Sequence, residues 1–243
     1  MPLLQTSSDE GTMTLTLNRP ERGNALGAEL VEALLDAIDA LTLAGPIHTV
    51  VLRAAGRHFC TGLDLGDLEQ TSDGELLQRL VRIEQLLAAL WHAPVRTIAV
   101  AQGRTWGAGA DLFATCDVRV ATPGTTLRFP GAQFGIVLAT RRLAERIGAD
   151  RARDCVLHAR ELDADTALVW GLATATQEEP PALQRVDAGT AAAIRAATRA
   201  DHRDADLAAL VRSAARPGLR ARIANYRERM ARGAAPGSDD QRR

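Results

Sequence analysis

The 243-residue chain contains no lysine, and all 29 of its lysine-or-arginine positions are arginine. Lysine forms Schiff bases and holds phosphates in P-loops, so both kinds of site are excluded. Any phosphate group must therefore be held by arginine side chains or by backbone N–H groups. The formal net charge is -1, which gives no reason to expect a nucleic-acid partner.

Cysteines and long apolar runs are also scarce. Cys60, Cys116 and Cys155 are scattered and odd in number, so they fit neither a disulfide framework nor a zinc pattern. We therefore expect no metal site, and a reducing, cytoplasmic setting. No run of about 18 apolar residues is present, so no membrane span is expected. The first residues lack a basic region followed by an apolar core, so we expect no secretory signal.

Hydrophobic periodicity predicts an α/β core followed by helices. Strands are predicted at 12–17, 49–53, 95–101 and 118–121, with a long amphipathic helix at 76–90. Asn24 is predicted to cap the first helix. Helices alone are predicted from 141 onward. These patterns divide the chain into a core at 1–177, a C-terminal helical region at 178–232 and a disordered tail at 233–243.

Two glycine-bearing turns, at 59–65 and 103–111, each follow a predicted strand, and the second opens a helix. Backbone N–H groups at a helix start are free, and glycine lets a ligand approach them closely. Two such N–H groups aimed at one oxygen form an oxyanion hole. The second turn superficially suggests a dinucleotide-binding fingerprint, but Leu112 stands where the third glycine belongs.

Several segments occur together in one order and spacing: NRPERGNAL at 18–26, GRHFCTGLDL at 56–65, AGADL at 108–112, CDVR at 116–119, RRL at 141–143 and RAR at 151–153. From 15 to about 172 the chain resembles the crotonase (enoyl-CoA hydratase/isomerase) superfamily. The resemblance implies a crotonase-like spiral of ββα units with a C-terminal α-helical region for trimerisation. It also implies an acyl-CoA thioester partner, no cofactor beyond the coenzyme A of the substrate, and a homotrimer or a dimer of trimers.

The resemblance also assigns residues to the site. The N–H groups of Leu63 and Ala108 match the two donors of the oxyanion hole, and a backbone donor survives the change from the family's common glycine to Ala108. The Asp64-Leu65 backbone is expected beside the adenine and pantetheine of coenzyme A, with Arg22 in a nearby loop. Asp64 has an alternative role as the cap of a following helix.

The acids depart from the family pattern. Hydratases of this family use two glutamates, and the first falls at Asp111, whose carboxylate is about 1.5 Å closer to its backbone. Misplacement by about 1 Å can reduce a rate roughly a hundredfold. Asp111 is a candidate acid or base if burial raises its pKa, and otherwise complements the helix dipole. The second acid position holds Gly131, and 118–144 contains no aspartate, glutamate or histidine.

Three residues have two readings each. Trp106, Phe134 and Val137 either line the acyl pocket or belong to the ordinary core. His58 is read as a surface residue rather than a base, and the cysteines at 60 and 116 as core thiols.

The preferred prediction is an acyl-CoA-binding enzyme of this family that stabilises a thioester enolate, with an atypical acid/base set in which Asp111 is the candidate proton carrier. The alternative is a non-catalytic acyl-CoA-binding protein that has lost hydratase activity. The stretch 207–232 carries seven arginines and one acid. It is either a solvated face or a contact for coenzyme A phosphates, and a structural or RNA-associated role is the third possibility.

Overall fold

The computed structural model describes residues 1–42, 45–177 and 186–233, and it confirms the α/β class. The strands are β1 (Leu4–Asp9), β2 (Thr12–Leu17), β3 (Thr49–Ala54), β4 (Arg96–Ala101), β5 (Arg104–Trp106), β6 (Val118–Ala121), β7 (Thr126–Arg128) and β8 (Glu161–Asp163). The helices are α1 (Ala28–Asp39), α2 (Asp73–Trp91), α3 (Ala108–Thr115), α4 (Thr140–Ile147), α5 (Ala149–His158), α6 (Ala164–Val169), α7 (Ala188–Ala197), α8 (Arg203–Ala214) and α9 (Leu219–Gly233). Short 3-10 turns lie at Pro20–Arg22, Leu68–Gln70 and Gly131–Phe134.

The larger sheet has the order β1-β2-β3-β4-β6, in which only β1 runs antiparallel to its neighbour. Its parallel strands are joined through α1, α2 and α3. In β2 the residues at 13, 15 and 17 are buried and those between them are partly exposed, because successive side chains of a strand point to opposite faces. The alternation that predicted this strand is therefore confirmed.

The smaller sheet has the order β5-β7-β8, with β5 parallel to β7. It holds the second glycine turn against the end of β7, since the N–H of Gly107 donates to the carbonyl of Arg128 at 2.8 Å. This pairing brings the start of α3 beside Pro130 and Gly131, both of which face the same cavity as Ala108.

The C-terminal helices pack onto the core. The helix α8 contacts α2, and α9 contacts α2 and the Gly131–Phe134 turn. A separate apolar cluster joins these elements; it includes Leu76, Leu80, Ile136, Leu210 and Ile223. The predicted boundary at 177/178 adjoins residues 178–185, and most of the predicted tail falls at 234–243. Both stretches lie outside the described residues, so the domain division and the disordered tail stay predictions.

Three local predictions are wrong. The chain from 141 onward is not helical alone, because Glu161–Asp163 forms β8 and pairs with β7. Asn24 does not cap α1, whose N-cap is Gly27. Its backbone has a φ of 54°, and its buried side chain donates to the carbonyls of Ala55 at 2.9 Å and His58 at 2.7 Å. Asp64 does not cap a helix either; its carboxylate accepts from Arg19 at 2.8 Å and from the N–H of Gly66 at 2.9 Å. Both side chains join separate chain segments.

None of the helices formed by the described residues is both long enough and apolar enough to cross a membrane.

Candidate active site

Two backbone N–H groups face one cavity from different segments. Leu26 holds the first segment, because its N–H donates to the carbonyl of Gly62 at 2.7 Å and its carbonyl accepts from Asp64 at 3.1 Å. Successive N–H groups of an extended chain point in opposite directions, so the N–H of Leu63 points away from Leu26. Within the described part of the chain it has no hydrogen-bond partner, and Leu63 lines the cavity.

The second N–H group belongs to Ala108, the first residue of α3. The first N–H groups of a helix have no carbonyl within the helix to bond. The N–H groups of Ala110 and Asp111 donate hydrogen bonds to the carbonyl of Gly107 at 2.8 and 3.0 Å. The N–H of Ala108 has no partner among the described residues. The dipole of α3 adds partial positive charge at this end. An oxygen bearing negative charge is therefore favoured here.

Glycine is required where the two segments meet. Gly62 has a φ of 100°, and a Cβ built on it would lie 3.0 Å from the carbonyl oxygen of Trp106 and 3.4 Å from the nitrogen of Ala108. Gly107 has a φ of 54°, which side chains other than glycine rarely adopt. These two residues let the backbones of 62 and 107 approach closely enough to share a cavity.

Asp111 lies one helical turn into α3 and lines the same cavity. Its side chain is 7% exposed, and its carboxyl group has no hydrogen bond to any described residue. Burial raises the pKa of Asp111 well above its ordinary value, and the nearby charge of Glu84 adds to this effect while Arg142 opposes it. Burial therefore favours the neutral form of this carboxyl group more than water does.

A buried ion pair lies among the helices around Asp111. Arg142 of α4 is 0% exposed and donates to both carboxylate oxygens of Glu84 of α2, at 2.6 and 3.1 Å. Its guanidinium also lies 3.4 Å from the carboxylate of Asp206 on α8. Burial raises the pKa of Glu84, although its hydrogen bonds to Arg142 lower it. Sequence reasoning gave neither Glu84 nor Arg142 a role.

The cavity has a volume of about 320 Å³ and is mostly apolar. Its remaining lining consists of Thr61, Gly62, Leu65, Leu80, Trp106, Gly107, Phe129, Pro130, Gly131, Phe134, Ile136, Leu138, Val156, Ile223, Tyr226, Arg227 and Met230. Among the described residues, Asp111 is the only one with a carboxyl group that lines this cavity. Such a cavity fits an apolar chain that carries one polar, reactive group.

Of the residues expected near coenzyme A, Leu63, Leu65 and Ala108 line this cavity, and Arg22 and Asp64 do not. Leu65 lines it, and its carbonyl accepts a hydrogen bond from Arg227 of α9 at 3.2 Å. Arg22 is exposed, with its guanidinium against Gly66. Asp64 is held by Arg19 beside this segment. The roles of these residues toward coenzyme A stay predictions.

The structure separates the three candidate pocket residues. Trp106 and Phe134 line the cavity, and the indole N–H of Trp106 donates to Thr126 at 2.9 Å. Val137 does not line it; its side chain is 45% exposed and its N–H donates to the hydroxyl of Ser213 at 3.0 Å. Gly131 does face the cavity, but a Cβ there would lie 3.3 Å from the carbonyl oxygen of Ile136.

One wall of the cavity was missed by sequence reasoning. Ile223, Tyr226, Arg227 and Met230 follow the spacing i, i+3, i+4, i+7 and present one face of α9 to the cavity. That spacing was visible in the sequence, but nothing local indicates that this face meets a site formed some 120 residues earlier.

The other reactive side chains lie elsewhere. Cys60 and Cys116 are fully buried, and burial raises the pKa of each thiol to about 12. His58 is partly buried and accepts a hydrogen bond from the N–H of Arg104 at 3.1 Å. Across the three described stretches, histidine, cysteine and acidic side chains form no cluster suited to a metal ion.

Comparison with known proteins now identifies the class. The family described as Enoyl-CoA hydratase/isomerase matches residues 7–216. A structure from Bordetella parapertussis, described as an enoyl-CoA hydratase/isomerase, is 44% identical to this chain. The alignment covers 92% of this chain and 98% of that chain and gives a TM-score of 0.88. The Mycobacterium leprae protein named "Probable enoyl-CoA hydratase echA6" is 36% identical over 170 residues, 68% of this chain and 67% of that protein.

This chain therefore belongs to the enoyl-CoA hydratase/isomerase family, and the predicted crotonase superfamily membership is confirmed. The structure of an enoyl-CoA hydratase from Bacillus halodurans shows the same fold, with a TM-score of 0.78 and 22% identity. The alignment covers 92% of this chain and all of that chain. The aligned stretches span roughly two thirds or less of the length of the curated relatives.

Proposed function

We propose that this protein is an enzyme that binds an acyl-CoA thioester and stabilises its enolate between the N–H groups of Leu63 and Ala108. Three features support the proposal: the two N–H groups lack partners within the described residues, they face an apolar cavity, and family membership makes the thioester the expected ligand. The observation that carries it is that these two donors line the same cavity as the carboxyl group of Asp111, which has no hydrogen-bond partner among the described residues.

The proposed chemistry starts with the thioester carbonyl. Two donors fixed by the Leu26 pairing and by the start of α3 stabilise an enolate oxygen more than a neutral carbonyl, because the charge develops only in the transition state. A single donor of this kind contributes about 3–4 kcal/mol. Asp111, as a carboxylate, would remove a proton from C2 of the thioester, and the C–H electrons would pass to the oxygen held by the two N–H groups. The resulting neutral acid would then return this proton to C4 of a 3-enoyl chain, and burial, which raises the pKa of Asp111, makes its carboxylate a stronger base.

The alternative function is binding of an acyl-CoA thioester without turnover. The observation that favours it is the Gly131 position, where the family's second acid is absent and a Cβ would crowd the carbonyl of Ile136. No other carboxyl group of the described chain lines the cavity. Hydration that depends on two acids is accordingly disfavoured, and proton transfer between substrate carbons suits one acid better.

We also propose that the protein is cytoplasmic, that it needs no cofactor beyond the coenzyme A of its substrate, and that it assembles as a homotrimer or a dimer of trimers. Exposed apolar side chains on α5 and α6, namely Leu157, Leu168 and Val169, support an assembly. Light scattering during size-exclusion chromatography tests this. Three or six times the mass of one chain is expected, and a monomer at micromolar concentration would contradict the proposal.

The test of function uses crotonyl-CoA and 3-hexenoyl-CoA as substrates and butanoyl-CoA as a non-reacting ligand. Asp111→Asn keeps the shape of the side chain but removes the transferable proton. We expect it to lower kcat about a hundredfold with little change in KM. Asp150→Asn, at an exposed surface position, is the matched control and should behave as wild type.

Each outcome of this test has a clear meaning. Turnover that survives Asp111→Asn unchanged would remove Asp111 from the mechanism. Calorimetric binding of butanoyl-CoA without turnover of either enoyl-CoA would favour the non-catalytic alternative. Failure to bind butanoyl-CoA would refute the proposed function as a whole.

A further inference from the structure

The cavity contains two polar side chains whose hydrogen-bonding groups have no protein partner in the described part of the chain, and only one of them takes part in the proposed proton transfer. The hydroxyl of Thr61 donates to the carbonyl of Gly23, and the guanidinium of Arg227 donates to the carbonyl of Leu65. Trp106 is likewise committed to Thr126. The two groups that remain are the carboxyl of Asp111 and the phenol hydroxyl of Tyr226.

Tyr226 is held in place by its ring. The ring packs against Phe134 with centroids 5.2 Å apart and planes tilted by 51°. Around it, α9 is tied to the Gly131–Phe134 turn, since Arg229 donates to the carbonyl of Gln133 at 3.2 Å. The phenol therefore projects from a fixed helix face beside the turn that contains Gly131. This is the part of the lining where the chain has no acid.

The hydroxyl is a neutral donor in this setting. Burial raises the pKa of Tyr226, while the positive charges of Arg128 and Arg229 lower it by smaller amounts. Tyr226 is partly buried, and a ligand that fills the cavity would displace water from its hydroxyl, so an apolar wall would be served better by phenylalanine. A tyrosine at this place is explained if the ligand supplies an acceptor.

We propose that the hydroxyl of Tyr226 contacts the substrate and donates a hydrogen bond to an oxygen on the acyl chain, so that the cavity selects acyl-CoA thioesters whose acyl chain bears an oxygen substituent. This inference rests on the proposed function, because it assumes that the acyl chain occupies the cavity. Discrimination by a polar group arises because an unsubstituted chain displaces water from the hydroxyl and leaves it unpaired. Tyr226 is thus a residue for specificity rather than a second acid.

The test compares the affinities of butanoyl-CoA and racemic 3-hydroxybutanoyl-CoA, measured by calorimetry. Wild type is expected to bind the hydroxylated ligand about fivefold more tightly. Tyr226→Phe keeps the packing on Phe134 and should abolish this preference while leaving the affinity for butanoyl-CoA within twofold. Asn225→Ala, on the exposed side of the same helix, is the matched control and should keep the preference.

A second measurement needs no variant. The chain has one tyrosine, so ring-labelled tyrosine gives one Cζ resonance in carbon NMR. Its shift should respond to 3-hydroxybutanoyl-CoA and much less to butanoyl-CoA. Equal affinities in wild type, or a preference that persists in Tyr226→Phe, would overturn the role of Tyr226 and leave the proposed function intact. Wild type that binds neither thioester would instead overturn the proposed function, and the inference with it.

Discussion

The ion pair between Arg142 and Glu84 provides the sharpest test of how the site is supported. Arg142→Met removes the guanidinium but keeps a long apolar side chain in its place. Glu84 is 2% exposed and would lose both hydrogen bonds to its carboxylate. Two unit charges about 4 Å apart interact by roughly 4 kcal/mol at an effective dielectric constant of 20. Removing one partner of a buried pair typically costs about 3–5 kcal/mol.

That loss is large compared with the total stability of about 5–15 kcal/mol of a typical domain. Urea unfolding at neutral pH should therefore show Arg142→Met destabilised by about 3–5 kcal/mol. Arg153→Met is the matched control, because Arg153 pairs with Asp150 at the surface and is 64% exposed. Its expected cost is below about 1 kcal/mol. Adding Glu84→Gln to Arg142→Met should recover most of the loss, since the unpaired charge disappears.

The pH dependence gives an independent check. Without Arg142, only the smaller effect of the charge of Arg141 offsets the burial that raises the pKa of Glu84, so that pKa rises further. A group with a raised folded-state pKa contributes stability that is present below its unfolded pKa and lost as pH rises through its folded pKa. The deficit of Arg142→Met should therefore be largest at neutral pH and shrink in acid. A deficit that equals that of Arg153→Met, or does not change with pH, would refute this account.

Three further predictions concern the same core. Burial holds the pKa of Asp111 above its ordinary value, so Asp111→Asn should raise the free energy of unfolding at neutral pH by on the order of 1 kcal/mol or more. No gain is expected at a pH below the pKa of aspartate in the unfolded chain. Urea unfolding at both pH values checks this, and equal gains would contradict it. Gly109→Ala should destabilise the protein by about 3 kcal/mol or more, because the added Cβ would clash with the carbonyl oxygen of Cys60 and lie 2.7 Å from the Cβ of Cys60. A melting temperature within a degree or two of wild type would contradict this prediction. The thiols of Cys60 and Cys116 should react with a disulfide reagent only on unfolding, since both are buried with pKa values raised to about 12; prompt labelling of the native protein at either position would show this to be wrong.

The sequence predicted those parts of the fold whose pattern is long enough to be periodic. The alternation in β2 and the apolar repeat of α2 follow directly from burial on one face, and the structure confirms both. The strand β1 has six residues and was missed because its side chains are almost all exposed, so no alternation is present. The strands β5, β7 and β8 have three residues each, too few for a period to be recognised, and they were missed as well. They nevertheless position the second glycine turn, because β5 and β7 fix where α3 begins.

Parts of the site could not be predicted because they depend on contacts between distant residues. Asn24 looks like a helix cap from the sequence. In the structure its backbone has a positive φ, and its side-chain amide donates to two backbone carbonyls more than 30 residues away. Glu84 resembles any acid on an amphipathic helix, and its partner Arg142 lies 58 residues further along. The local patterns around these residues contain no information about such pairings. The glycine turns were predictable because their requirement is local.

The use of backbone rather than side-chain donors has a consequence for how the chain tolerates change. An N–H group is present in every residue except proline, so the identities at 63 and 108 can vary while both donors persist. The adjacent glycines at 62, 107 and 109 cannot vary in this way, because their φ angles or their close neighbours exclude a Cβ. In a saturation mutagenesis screen, the most restrictive positions of this site would thus be neighbours that contribute no side chain, whereas small apolar replacements at 63 and 108 would keep both donors.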